Sequence, residues 1–438
     1  VGFFSVCGAD CGIGQAVGWA MSLVGETSER GLRGRPLDIR HLIFDEADDH
    51  PSGANGLHQV ARQLALEQIH AGDRSRLIFL AAPGRAPEVP SGLPAQILPL
   101  RGRQVLGRHI GLDRDVLEAI LAESGPSTFY HIHGVRQPLL LPISRAMRRR
   151  RLPFGVTAHS RFGHIYSLDG KLERPRAVLY IKLLEQFALN AARFVHALTP
   201  HEADVVRWLV PGAKVALLPN AVYSSSIDGI PQAPTGRNPS PQFPTFGFFG
   251  RLAIEHKGLD LLIAGFARYR HSGGKGRLAL FGSGQTHQQL TEMCAALGVA
   301  DMCTIEGPRF GQDKVAAASE WDFYVAPSRF DHMPLALMEA GLMGLPLILS
   351  EGTGLLGQVE AGGAGLAISG LSAESVAEAM HAAEKIAPAQ WRKLSENAYR
   401  VALATGDWTT IAASLRDLYC GEPIAGHPPA HSQQHRTH

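Results

Sequence analysis

The feature that most constrains this chain is a rhythm that runs twice. From Arg40 onward, short apolar runs of strand length alternate with longer segments whose apolar residues recur at helical spacing. His41–Phe44, Leu77–Leu80, Ile97–Leu100, Phe129–His133, Phe154–Thr157, Phe194–Leu198 and Val215–Leu218 read as strands. Helices are expected between them over Leu57–Ile69, Val116–Ala122, Leu139–Arg150, Ala177–Ala191 and His201–Leu209. The rhythm then stops. Tyr223–Pro244 is dense in Ser, Pro, Gly and Asn without an apolar period, as a linker would be. It restarts at Phe246–Phe249 and runs through Leu278–Phe281, Cys303–Ile305, Phe323–Val325, Leu347–Leu349 and Gly365–Ile368. Helices dominate from Ala373 to Leu418. Such alternation makes parallel sheets with helices on both faces. The expected fold class is therefore α/β, with two Rossmann-like doubly wound domains facing a cleft.

The domains are expected at 39–222 and 245–390, joined by the linker 223–244 and followed by crossover helices over 391–420. At 438 residues the chain is long enough for two domains of ordinary size. Its 42 basic and 40 acidic residues leave a net charge of +2, with no global signal for nucleic acid. The five cysteines contain no CxxC and no disulfide framework, which fits a reducing, cytoplasmic setting. No uncharged apolar run is long enough to cross a membrane. Residues 1–38 begin apolar, with no preceding basic residue as a secretory signal requires, and are expected to be a poorly ordered extension. Residues 421–438, rich in Pro, Gln and His, are expected to be a disordered tail.

The chemistry concentrates in the second half. Pro327–Pro346 reads as loop, helix and turn after an apolar strand, with Asp331 in the loop and Glu339 eight residues on. Taken alone the two carboxylates resemble an acid/base pair. Their surroundings suggest otherwise. Gly250 ends a strand and Arg251 follows at once, while Lys257 precedes a helix. Two cations at a strand exit beside a helix amino terminus suit a pyrophosphate. Gly282 and Gly284 end the next strand, where glycine lets backbone approach a ligand. Met333, Pro334 and Leu335 open the helix that carries Glu339, and its first-turn N–H groups suit an anion. Asp331 and Glu339 then suit hydroxyls, since each carboxylate accepts two hydrogen bonds from a vicinal diol.

The first half is quieter. Gly56 closes a Gly-containing turn before a helix, a common α/β feature. His131, His133, His159 and His164 lie at or near strand ends; a lone histidine there is more often structural, and their spacing fits no common zinc pattern. No metal is expected. Between Ser124 and Leu168 there are seven arginines and no acidic residue. Arg145, Arg148, Arg149, Arg150 and Arg151 end a helix whose earlier residues are apolar, which suits an anionic membrane surface or an acidic acceptor. A solvated helix end that complements the dipole is the competing reading.

In these residues the chain resembles the retaining GT-B glycosyltransferases of family 4, also called group 1, over roughly Arg40–Leu418. The resemblance rests on Gly250-Arg251-Leu252 with Lys257-Gly258, on Asp331-x₇-Glu339 where the family has Glu-x₇-Glu, on the Asn55-Gly56 turn, and on Pro219-Asn-Ala-Val222. It implies that Arg251 and Lys257 bind the donor diphosphate and stabilise the leaving group, and that Glu339 holds the donor ribose. It also implies that Asp331 holds hydroxyls of the transferred sugar, that Gly56 lets backbone approach the donor, and that His159 lines the acceptor side. The implied reaction moves a hexosyl group from a nucleotide-diphosphate sugar to a saccharide or lipid-linked saccharide, with retention and without a cofactor or metal. The implied setting is bacterial surface polysaccharide assembly by a cytoplasmic enzyme, peripheral at the inner face of the membrane. The competing readings are another GT-B enzyme, such as a nucleotide-sugar epimerase or glycogen-type transferase, and a non-catalytic nucleotide-sugar binding protein.

Overall fold

The computed structural model describes residues 35–422, apart from 46–55, 83–88, 90–91, 106–107, 163–164, 166–173, 228, 230, 233–238, 240–242 and 332–333. Of the segments expected to be poorly ordered, 1–38 and 421–438, residues 1–34 and 423–438 lie outside the described residues, as do Met333 and His164; Leu37 and Asp38 are instead buried, and Asp38 opens the first strand.

The first sheet holds β1 (Asp38–Asp45), β2 (Arg74–Ala81) and β3 (Ala95–Pro99) on one side. A small antiparallel ribbon of β4 (Gln104–Val105) and β5 (Arg108–His109) stands apart from it. On the other side lie β6 (Thr128–His133), β7 (Phe154–Thr157), β8 (Val195–Ala197) and β9 (Val215–Leu217). The order is β3-β2-β1-β6-β7-β8-β9, all parallel. The second sheet, also parallel, has the order β12-β11-β10-β13-β14-β15. Its strands are β10 (Thr245–Phe249), β11 (Arg277–Phe281), β12 (Cys303–Glu306), β13 (Phe323–Ala326), β14 (Leu347–Leu349) and β15 (Gly365–Ala367).

Strands with helices on both faces must be apolar on both sides, and every residue of β6, β7 and β13 is buried. The strand order reverses between β1 and β6 in one sheet and between β10 and β13 in the other. Loops that leave the carboxyl ends of strands flanking such a switch point diverge and open a crevice, which is where open α/β sheets bind ligands.

Helix Pro388–Thr405 packs along Leu335–Leu342, where a Cβ on Gly341 would stand 2.7 Å from Ala402 Cβ. The chain then crosses back. In the last helix, Trp408, Ile411, Leu415 and Tyr419 join a core with Leu37, Ile39, Val60, Leu64, Phe129 and Phe194 of the first domain. Arg416 reinforces this with an ion pair to Asp73 at 2.9 Å.

Two local expectations need correction. The helix expected over Ala177–Ala191 is Pro175–Tyr180, a π-turn over Ile181–Glu185, and Gln186–Leu189. The wider turn directs Ile181, Glu185, Ala188 and Leu189 inward. Leu179, Leu183, Leu184 and Phe187 are left 47–60% exposed, although their apolar character reads as core. The cysteines are also less scattered than their sequence spacing implies, because Cys294 and Cys303 meet at 3.0 Å between sulfurs.

Candidate active site

The loop after β10 is built against its neighbour. Gly250 turns out of the strand at φ 146°, and exposed Arg251 follows. Gly250 N–H donates to Phe281 O at 3.3 Å and Leu252 N–H to Ser283 O at 2.8 Å. A Cβ on Gly282 would stand 1.8 Å from Gly250 O, and one on Gly284 2.1 Å from Leu252 O. The close approach these glycines permit is therefore to the adjacent loop, which holds Gly250 and Arg251 in place. The chain continues through a single helical turn, Ile254–Lys257, to Gly258 at φ 64°, where a Cβ would meet Pro327 O at 2.1 Å. This contact brings the loops after β10 and β13 together across the switch point.

The loop after β13 is clamped from both sides. Arg329 donates to both carboxylate oxygens of Asp260 at 2.8 and 2.7 Å and to Ile254 O at 2.9 Å. These bonds to Asp260 hold the Arg329 pKa above its ordinary value. Burial would raise the Asp260 carboxyl, but the guanidinium outweighs it and the pKa falls. On the other side, Asp331 N–H donates to Gly352 O at 2.6 Å and Ser350 hydroxyl to Ser328 O at 2.6 Å.

The result is a set of charges at one strand-end cluster. Lys257, buried, forms an ion pair with half-buried Asp331. Pro334 is the extended residue before helix Leu335–Leu342, consistent with its lack of an N–H, and Leu335 is the first helical residue. Glu339, one turn in, pairs with Lys314 of helix Gly311–Ser319 at 2.8 Å. Beneath them Tyr324 hydroxyl donates to Phe249 O at 2.9 Å and ties β13 to β10. Burial, then the nearby Asp331 and Glu339 charges, push the Tyr324 pKa well up, so it stays a neutral donor. Arg251, Lys257, Asp331 and Glu339 are thus gathered at one switch point. Asp260, Lys314 and Arg329 complete the cluster and escaped sequence reasoning, since the residue that answers a charge 25 or 69 positions away leaves no local pattern.

In the first domain, Gly56 opens helix Gly56–His70 beside the β1–β6 switch, with open space where a Cβ would be. His159 lies two residues past β7 and is half-buried. It and Ser160 adopt φ 50° and 63°, a left-handed conformation that costs a non-glycine residue of order 1 kcal/mol or more and persists only where surroundings enforce it. Glu202 is part of that enforcement. Burial pushes its pKa up to about 7, against the N–H groups of Leu198, Phe162 and Ser160. Glu185 behaves alike at the loop after β6: burial raises it to about 7, and it accepts from Gln137 N–H at 3.1 Å. Thr199-Pro-His-Glu202, a capping pattern at the start of helix Pro200–Leu209, was the available sequence signal for Glu202.

The arginine cluster sits elsewhere. Helix Leu140–Arg149 runs antiparallel to the strands, so Arg148–Arg151 fall just before β7 begins, at the amino edge of the sheet. All of Arg145 and Arg148–Arg151 are exposed, and Arg150 pairs with Glu118 at 2.5 Å. This position is opposite the carboxyl edge of the strands.

His41, His131 and His133 converge closely enough to be weighed as a metal site. All six of their ring nitrogens already have hydrogen-bond partners, at 2.6–2.9 Å. A metal there would have to displace several of these bonds.

Comparison with known proteins accords with this geometry. Residues 55–221 match the family model for a glycosyl transferase 4-like domain, and 243–384 that for group 1 glycosyl transferases. The 2-deoxystreptamine N-acetyl-D-glucosaminyltransferase of Streptomyces fradiae is 28% identical over 268 residues, covering 56% of this chain and 62% of that one. The GDP-mannose-dependent alpha-(1-6)-phosphatidylinositol monomannoside mannosyltransferase of Mycobacterium tuberculosis is 25% identical over 203 residues, covering 42% of this chain and 49% of that one. The matched stretches thus span about half to three fifths of these relatives. Among solved structures, the sucrose-phosphate synthase of Thermosynechococcus elongatus superposes with a TM-score of 0.63 at 19% identity, covering 87% of this chain and 98% of that one. Two parallel Rossmann-like sheets, closing helices that return to the first, and two matching domain models lead to one conclusion: the chain belongs to the group 1, or family 4, glycosyltransferases and has the GT-B fold.

Proposed function

We propose that this protein transfers a hexosyl group from a nucleotide-diphosphate sugar to a hydroxyl of a saccharide or lipid-linked saccharide, with retention of anomeric configuration. The observation that carries the reading is the convergence of Arg251, Lys257, Asp331 and Glu339 on the β10–β13 switch point. Breaking a glycosyl–phosphate bond builds negative charge on the departing diphosphate. Fixed cations in a partly buried site stabilise that charge without reorganising. Lys257 and Arg251 supply it, with N–H groups at the start of Leu335–Leu342 assisting. Glu339 receives the ribose hydroxyls and Asp331 those of the sugar. Both carboxylates then lie on the donor side, whereas a hydrolase needs two that flank the scissile bond. In the second sheet each carboxylate is already paired with a lysine, so donor binding exchanges Lys257–Asp331 contact for Lys257–phosphate contact.

The acceptor is proposed to be membrane-borne and the enzyme peripheral. No described helix is long and apolar enough to cross a membrane. The support is the exposed face of Leu179, Leu183, Leu184 and Phe187 beside exposed Arg174, Arg176 and Lys182, with Lys182 over the Trp208 ring at 4.1 Å. Apolar groups rimmed by cations suit an anionic lipid surface. Surface polysaccharide assembly is the corresponding setting. A second reading follows from the Streptomyces relative, whose named acceptor is 2-deoxystreptamine: here the acceptor would be a small soluble molecule.

The donor reading is tested by thermal shift across nucleotide sugars. One or more should stabilise the parent, and Lys257→Ala should lose that shift. If no nucleotide sugar shifts either protein, the reading fails. Flotation with anionic vesicles, comparing the parent with Leu183→Ser/Phe187→Ser and with Arg148–Arg151 changed to Gln, separates a lipid-borne from a soluble acceptor.

A further inference from the structure

Five histidines occupy the interior of the first sheet and its carboxyl edge: His41 on β1, His131 and His133 on β6, His196 on β8, and His159 past β7. The register pairs His41 with His131, and positions 131 and 133 share a face. Gln68, Tyr419 and Thr157 join them into one hydrogen-bonded chain whose protons can be placed in turn.

The carbonyl of Leu218 only accepts. It lies 2.9 Å from His196 Nε2, so that nitrogen carries the proton. A neutral imidazole has one N–H, which leaves His196 Nδ1 to accept from Thr157 hydroxyl at 3.0 Å. Thr157 Oγ1 receives the Nε2 proton of His131 at 2.6 Å. His131 Nδ1 therefore accepts from Tyr419 hydroxyl at 2.7 Å. Having donated, Tyr419 oxygen accepts from the Gln68 amide at 3.2 Å. That turns Gln68 Oε1 toward Ser75 hydroxyl and His41 Nε2, each at 2.8 Å. His41 Nδ1 then accepts from His133 Nε2 at 2.8 Å, and His133 Nδ1 from His159 Nε2 at 2.9 Å. Every histidine in the chain is the Nε2–H form. Burial keeps them neutral, lowering His41 and His196 to about 4 and His159 to about 3, and His131 and His133 well below the ordinary value.

We propose that this one-way chain, anchored on the Leu218 carbonyl, fixes His159 as the Nε2–H tautomer and so makes its Nδ1 an obligate hydrogen-bond acceptor, with Gln68 and Tyr419 as positioning residues. The sense is not free to reverse at one point alone. Turning the Gln68 amide would place its NH₂ against the N–H of His41 and deprive Tyr419 of its donor. A bare Nδ1 receives a proton from a substrate hydroxyl and gives none to a phosphate or carboxylate. His159 thereby selects for a sugar hydroxyl over an anionic group. This use of the chain rests on the glycosyl-transfer reading above; the tautomers themselves do not.

The test is long-range ¹H–¹⁵N correlation on the full-length, ¹⁵N-labelled protein, with the His159 signals identified by their loss in His159→Asn. All five rings should show the Nε2–H pattern, with His159 Nδ1 unprotonated. An Nδ1–H form at His159 overturns the proposal. In Tyr419→Phe the Gln68 amide loses the partner that orients it, and the His159 signals should move toward a mixture of tautomers. Thr157→Val, which cuts the chain without touching the last helix, should do the same and serves where Tyr419→Phe fails to fold. Unchanged His159 signals in folded variants overturn the positioning roles. In transfer assays both variants should raise KM by about three- to tenfold, the worth of one neutral hydrogen bond, with kcat nearly kept. Because the spectra need no substrate, failure of the tautomer pattern and failure of sugar transfer are told apart.

Discussion

The two domains share a topology and differ in what they place near the carboxyl ends of their strands. In the first, the polar groups are neutral, buried except at half-buried His159, and linked in series: imidazoles, an amide and hydroxyls. In the second, they are charged, half-buried except for buried Lys257, and arranged in pairs: Lys257–Asp331, Lys314–Glu339 and Arg329–Asp260. The strand core beneath those pairs is apolar and aromatic. A chain of neutral groups can set the direction of a hydrogen bond but supplies little field, which suits hydroxyl recognition. Paired ions supply field and exchange partners, which suits a diphosphate. One scaffold can therefore serve an uncharged and an anionic substrate by changing side chains without changing strand order.

The largest expected effect tests the first domain. Its buried histidines have folded pKa values far below the unfolded value of about 6.5. The stability they contribute is present above 6.5 and is lost as pH falls toward about 4. Each adds a slope of about 1.4 kcal/mol per pH unit over that window. Acting together, they should lower the stability of the first domain between pH 6.5 and pH 4. Glu185 and Glu202 act oppositely: raised to about 7, they contribute stability that is full below the unfolded carboxyl value and lost as pH rises through about 7. Urea midpoints measured from pH 8 to pH 4 should therefore peak near neutrality and fall steeply on the acid side. A flat acid limb would remove the contrast between the domains.

The next effect tests the second domain. Lys257→Ala should lower kcat by about 10²–10³-fold, the usual consequence of removing one group that stabilises developing negative charge. His159→Asn should cost less. If the two are equal, field and direction do not divide between the domains as described. Glu339→Gln should raise the donor KM by about 10- to 100-fold, as loss of charge-assisted bonds does, and should matter little for a donor whose ribose lacks the hydroxyls. The smallest effect sharpens the picture of the clamp. Asp260→Asn leaves Arg329 a weaker partner, and kcat/KM should fall about fivefold, with little change in thermal midpoint.

Much of the architecture is legible in the sequence, because strands buried on both faces are apolar runs and the helices between them keep a 3.6-residue period. Gly250-Arg251 and Lys257-Gly258 are legible for a related reason: both glycines take positive φ, one where the chain leaves β10 and one where a single helical turn ends. The Ala177–Ala191 segment misleads because apolar spacing cannot show that a π-turn rotates Leu183 and Phe187 to the surface. The histidine chain is legible only with register. His131 and His133 alternate on one strand, which hints at a shared face. That His41 lies opposite, and that Tyr419 arrives from the far end of the chain, depends on pairing that no local pattern encodes. The ion pairs are hidden for the same reason.

The return of the last helix also has a consequence for how the molecule is made. Trp408, Ile411, Leu415 and Tyr419 fill a core otherwise lined by Leu37, Ile39, Val60, Leu64, Phe129 and Phe194. A growing chain thus finishes its second domain, residues 243–384, while the first still lacks one wall and the hydroxyl that links Gln68 to His131. The order of synthesis and the order of completion are reversed. Whatever escorts the nascent chain must shield that open face until helix Trp408–Cys420 has emerged, and removal of that helix should damage the first domain more than the second.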